Sequence, residues 1–164
     1  INELLVGLSG VFVAVLALGF TIWQVILTRI HNRISYRPIL VLATEHSFEK
    51  KSFTVVLANN GLGPALIKSF RIRVGDRVIE GDHSNVVFNL VKELFSNVKY
   101  TISCGGISDK YCMPPSEIFN ILSISFPEDV PMTSEEILEW LNTADLHISY
   151  ESIYGEKFEL DSKD

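Results

Sequence analysis

At 164 residues the chain fits one ordinary domain, or a smaller domain with an appendage, and its 47% apolar and 21% charged residues exclude a disordered or collagen-like chain. The formal net charge of −6 argues against general duplex nucleic-acid binding, which needs a broad positive surface. The charge is also uneven: all 14 Lys and Arg lie at or after Arg29, and Glu3 is the single charge before it, which argues against a fully soluble monomer.

Leu4 to Thr28 is a run of 25 residues without a charge. As a helix it spans roughly 37 Å, against a bilayer core of about 30 Å. Between Leu4 and Leu27 only Ser9, Thr21 and Gln24 are polar, too few for the polar stripe of a soluble core helix. A cleaved signal peptide is the rival, with Ala17 and Gly19 mimicking a cleavage site. The apolar run continues through Trp23 to Leu27, however, and no basic segment precedes it. Ile1 rather than Met opens the sequence, so residues ahead of it are expected. Arg29, Arg33 and Arg37 crowd the far end with His31 among them, so the positive-inside rule places the N-terminus outside and the C-terminal body in the cytoplasm. Cys104 and Cys112 show no dense disulfide pattern and read as buried, reduced thiols. Gly7, Gly10, Ala14 and Ala17 recur at spacings of three and four, a small-residue stripe that lets helix backbones approach in lipid. No ionisable residue lies within the span, which argues against a charge-lined proton or ion path.

The pattern divides the chain into a transmembrane helix over 1–28, a basic juxtamembrane helix end over 29–37 that stops before Pro38, and a β domain over 38–164. Strands are predicted at Ile39 to Ala43, Phe53 to Ala58, Ala65 to Val74, Arg77 to Glu80, Val98 to Ser103, Ile118 to Phe126, Leu146 to Ile153 and Lys157 to Leu160. In the third, Leu66, Phe70, Ile72 and Val74 share the core parity, while Ser69, Arg71 and Arg73 share the other. Two helices interrupt the strands. The first is capped by Asp82 or Ser84 and buries Val86, Val87, Leu90, Val91, Leu94 and Phe95. The second opens on a Thr133–Glu136 capping box and buries Ile137, Leu138 and Leu141, with Trp140 either core or contact surface. Phe48, Phe53, Phe70, Phe88 and Phe119 read as core. The fold class is an N-terminal transmembrane α-helix plus a mainly-β cytosolic domain, an antiparallel β-sandwich with two inserted helices.

The order of a membrane helix, basic residues, Arg37-Pro38-Ile39-Leu40, then Asn60-Gly61-Leu62-Gly63-Pro64-Ala65 between strands and Tyr150-Glu151-Ser152-Ile153-Tyr154-Gly155 near the end resembles small bacterial single-pass inner-membrane proteins with a cytosolic immunoglobulin-like sandwich. The resemblance covers most of the chain, but its motifs are structural, with Asn60 and the glycines shaping a turn. It implies a fold and a place at the inner membrane rather than a reaction. Several proteins of this build resemble effectors of antiphage defence, including a CRISPR-associated membrane effector that senses a cyclic oligoadenylate.

No catalytic motif emerges. His31, His46, His83 and His147 form no helical metal spacing, and Cys104 and Cys112 lie eight apart, so neither metal nor cofactor is expected. Gly61-x-Gly63 lacks the third glycine and following helix of a dinucleotide fingerprint. Charge asymmetry is more informative. Between Glu45 and Tyr100 there are eight basic and six acidic residues; from Cys104 onward there are three basic and 13 acidic. Arg71 and Arg73 project from one strand face, and Arg77 joins them if the hairpin keeps register. Such a row can grip phosphate, as of an anionic nucleotide, or meet an acidic protein surface; the plainer reading is a solvated, partly neutralised face. The expectation is a non-catalytic, homo-oligomeric protein in contact with the lipid bilayer, gated by a ligand or partner. The alternatives are a passive anchored subunit of a larger membrane complex and, last, a membrane-bound hydrolase.

Overall fold

The computed structural model describes residues 2–47, 49–80, 83–107, 111–130, 133, 135–136, 139 and 142–163. It divides into two compact units, Ile1–Tyr36 and Arg37–Asp164.

The first unit is one α-helix, α1 (Asn2–Ser35), none of whose residues is buried. It is long and apolar enough to cross a membrane. Its hydroxyls are satisfied within the helix: Ser9 donates to the Val6 carbonyl, Thr21 to that of Ala17 and Thr28 to that of Gln24, each at 2.8 Å. A span with such internal bonds leaves these groups no debt to lipid. The helix runs through Arg29 and Arg33 and ends before Pro38, as the sequence predicts.

The second unit is a β-sandwich with all its pairings antiparallel, in agreement with the expected fold class. One sheet has the order β1 (Leu40–Ser47), β2 (Ser52–Asn59), β7 (Ile118–Ser125), β5 (Thr101–Ser103). The other has the order β4 (Arg77–Glu80), β3 (Ala65–Val74), β8 (Ala144–Glu151), β9 (Lys157–Asp161), with β6 (Cys112–Met113) paired to the start of β3. Leu57 and Ile124 from the first sheet and Ile67 and Ile148 from the second belong to one buried core. Helix α2 (His83–Leu94) adds Val86, Val87, Leu90 and Val91 to it, and Phe95 meets Phe126 edge-on at 5.1 Å. The Thr133 capping box is present: the Thr133 N–H donates to Glu136 Oε2 at 2.7 Å and the Glu136 N–H to Thr133 Oγ1 at 3.2 Å. Residues 135, 136, 139 and 142 are helical; Ile137, Leu138, Trp140 and Leu141 lie outside the described residues, as do Phe48 and Asp82.

Several expectations are corrected. Leu66 is not on the core parity with Phe70. Ile67 pairs with Tyr150 and Ser69 with Ser149, so Lys68 is an extra residue that resets the alternation. Ala65 and Ile67 are buried before this bulge and Phe70 and Ile72 after it, leaving Leu66 half-buried. Phe88 is exposed, because it falls outside the apolar face of α2. Ser84 lies within α2 and donates to the Gly105 carbonyl at 3.5 Å instead of capping. Cys104 is half-buried and Cys112 exposed, both free; on β6 the alternation buries Met113 and turns Cys112 outward. Strand β5 starts at Thr101 rather than Val98.

Candidate functional site

In an antiparallel pair, residues directly opposite one another project to the same face. Arg71 stands opposite His147 on β8 and Glu80 on β4; Arg73 stands opposite Asp145 and Val78. The two arginines therefore share one exposed row, as expected. Arg77 does not join it. It pairs with Val74, on the core parity, because the tight Gly75-Asp76 turn leaves no residue of offset. Its Nη2 instead donates to Glu93 Oε1 on α2 at 2.6 Å. Gly75 permits that turn through its φ of +58°.

The row carries its own counter-charges. Arg73 Nη1 lies 3.9 Å from Asp145 Oδ2, and His147 Nδ1, when protonated, lies 3.9 Å from Asp161 Oδ2. Asp145 is buried, and its Oδ1 accepts from Ser162 Oγ at 2.9 Å. The Lys163 N–H, at 3.0 Å, holds the Asp161 carboxyl below the usual carboxylate range, helped by a hydrogen bond with Asp145 and the charges of His147 and Arg73. Any anion bound here competes with two built-in carboxylates. Gly7, Gly10, Ala14 and Ala17 are exposed on α1, and nothing else approaches the glycine Cα atoms on the side where a Cβ would stand.

A second constellation is tighter. Three segments singled out in the sequence, around 37–40, 59–65 and 150–155, converge at one end of the sandwich, around the chain that follows α1. Its hub is Asn59, fully buried at the end of β2, rather than the exposed Asn60. Asn59 Oδ1 accepts from the N–H groups of Ile39 (3.2 Å) and Gly61 (3.1 Å). Its Nδ2 donates to the carbonyls of Gly63 (2.9 Å), Met113 (3.2 Å) and Pro114 (3.2 Å). Gly61 packs so closely under the entering chain that a Cβ would stand 2.3 Å from the Arg37 carbonyl oxygen and 2.5 Å from the Ile39 nitrogen, both backbone atoms. The Leu40 N–H points to Tyr150 Oη at 3.5 Å, and Tyr150 stacks on Phe158 with centroids 5.4 Å apart. Burial pushes the Tyr150 phenol up. The Arg37 guanidinium lies 5.0 Å over the Phe158 ring and 4.0 Å from Glu156 Oε2. Ser152 Oγ accepts from the N–H groups of Tyr154 and Glu156, each at 3.2 Å, and fixes the last hairpin. The sequence signal for this collar is an Asn that ends a strand just ahead of a Gly-x-Gly-Pro turn; its role shows only in three dimensions.

Among the described residues no group of His, Cys, Asp and Glu has the arrangement to hold a metal ion. No family model and no curated protein matches the chain. Among solved structures it is similar to the archaellum periplasmic stator protein FlaG from Sulfolobus acidocaldarius, at 11% identity and a TM-score of 0.27, over 76% of this chain and 99% of that one.

Proposed function

We propose that the chain is a membrane-anchored, non-catalytic binding protein: α1 crosses a bacterial inner membrane once, N-terminus outside, and the sandwich works on the cytoplasmic face as a subunit of a larger assembly. The observation that carries this is the charge-free span of α1, none of it buried by its own domain and followed at once by Arg29, Arg33 and Arg37. The collar supports the same reading, because it holds Arg37 to Leu40 against the sandwich and ties the domain to the chain leaving the membrane. The polar Thr21 and Gln24 follow the small-residue stripe at the same spacing, and both features favour a homo-oligomer packed along it. A C-terminal reporter active only in the periplasm stays silent in this arrangement; strong activity overturns it.

The second reading is a ligand-gated effector of antiphage defence, favoured by the exposed Arg71–Arg73 row. There an anionic nucleotide displaces the internal carboxylates, and triggering depolarises the cell. Reversal of both arginines to Glu abolishes nucleotide binding in that case without unfolding the domain. If the row meets an acidic neighbour instead, the same change weakens assembly and no nucleotide binds the parent.

A further inference from the structure

The end of the sandwich away from the collar holds a cavity of about 410 Å³. Its walls include Phe53 and Val55 on β2, Phe70 and Ile72 on β3, and Val87 and Leu90 on α2, and β1, β7 and β8 contribute as well. Its exposed members, Thr44, Asn142, Ser162 and Lys163, form a polar mouth. The cavity exists because the inward parity of β1, apolar at Leu40 and Leu42, turns polar at Thr44, while the facing end of β8 offers only Ala144. Small-molecule sites have this volume and this composition, a mostly apolar lining with a few polar groups to fix orientation.

We infer that this cavity binds a single-chain anionic amphiphile, its acyl chain between the sheets and its head group at Lys163. The apolar wall suits a hydrocarbon tail, which needs no hydrogen bonds. The mouth suits an anion. Lys163 makes no ion pair among the described residues: Asp161, whose Oδ1 accepts from the Lys163 backbone N–H at 3.0 Å, stands opposite His147, and Asp145, whose Oδ1 accepts from Ser162 Oγ at 2.9 Å, stands opposite Arg73 on the outer face. Thr44 and Asn142 add a hydroxyl and an amide for the head-group oxygens. The inference is independent of which side of the membrane the sandwich occupies, and so survives a failed topology test.

The test uses the full chain in phosphatidylcholine nanodiscs with a medium-chain fatty acid carrying a diazirine near its tail. Illumination labels the peptides of β1, β2 and β8 that line the cavity, and excess unlabelled probe suppresses that labelling. Label confined to α1, or label in the sandwich that does not saturate, overturns the inference. Competition by decanoate or by a lysophospholipid tells which source supplies the chain; competition by neither overturns it. Ala144→Phe grows into the cavity and lowers sandwich labelling. Unchanged labelling in a folded Ala144→Phe protein overturns the site. The exposed Lys163→Glu keeps the fold in any case: it weakens capture of the acid about threefold, a typical exposed ion-pair effect, and leaves the matching fatty alcohol unaffected. Equal capture of acid and alcohol by the parent overturns the choice of an anionic ligand.

Discussion

At the collar end of the sandwich both polar atoms of Asn59 are engaged and there is no space beside Gly61, whereas at the far end the same strands part widely enough to enclose about 410 Å³. Along β1 the inward positions run from Leu40, buried, through Leu42, half-buried, to Thr44, exposed. Along β8, read towards its start, they run from Ile148, fully buried, through Leu146 to the half-buried Ala144. One pair of sheets thus closes tightly at the Asn59 end and leaves an opening at the other. Local stability follows packing and hydrogen-bond satisfaction, so the two ends are expected to differ in both.

Asn59→Ala should break this contrast most strongly. It removes all five hydrogen bonds of a buried side chain and leaves carbonyls without a donor, a loss of about 4 kcal/mol in urea unfolding. A loss under about 1 kcal/mol would show that the collar is not the stable end. Next comes a matched pair of core truncations. Ile148→Ala, where the side chain is fully buried, should cost about 4 kcal/mol, and Leu146→Ala, beside space that already exists, about 2 kcal/mol. Equal losses would mean that the far end packs as tightly as the near one. Gly61→Ala should cost about 2 kcal/mol, because the new methyl meets backbone that can yield only by shifting the entering chain.

The smallest effect is a pH slope at the collar end. Tyr111 Oη donates to Glu117 Oε1 at 2.7 Å, and this bond, then burial, then the charges of Glu117 and Cys112 push the phenol up to about 12 from an ordinary 10.0. A folded-state value above the unfolded one contributes stability that is fully present below pH 10 and is lost as pH rises through 12. Thermal melts between these values should therefore fall with pH, and Tyr111→Phe should flatten the slope. Asp161 works with the opposite sign. Its lowered value contributes stability above the normal carboxylate range that is lost on acidification through the folded value, so Asp161→Asn should flatten the acid limb.

Most of the architecture was legible in the sequence because it depends on period. The change from an unbroken apolar run to alternation located α1 and the strands, and the Thr133–Glu136 spacing located a cap that is present in both directions. What escaped were features that depend on a partner distant in sequence. The Lys68 bulge is a matter of pairing with β8, so parity carried backwards from Phe70 misassigned Leu66. Arg77 was conditional on a register that one turn decides. The arginine row itself was readable, whereas Asp145 and Asp161, which partly neutralise it, come from strands more than seventy residues later. Asn59 cannot be told from Asn60 in the sequence, because the number of bonds that it makes is not visible in composition.

The close approach of Gly61 to Arg37 has a consequence for biogenesis. The residues that follow α1 are synthesised before their seat, which is built from Asn59 to Gly63, Met113 and Pro114, Tyr150 and Phe158. The Leu40–Tyr150 contact closes a separation of 110 residues. Pairing at such distances is slow, and here it cannot be completed until Tyr150 and Phe158 have left the ribosome. Strand β1, whose neighbour in the finished sheet is β2, can pair with it well before Tyr150 and Phe158 close the collar. A ribosome-stalled series should show the collar resistant to protease only after Phe158 has emerged.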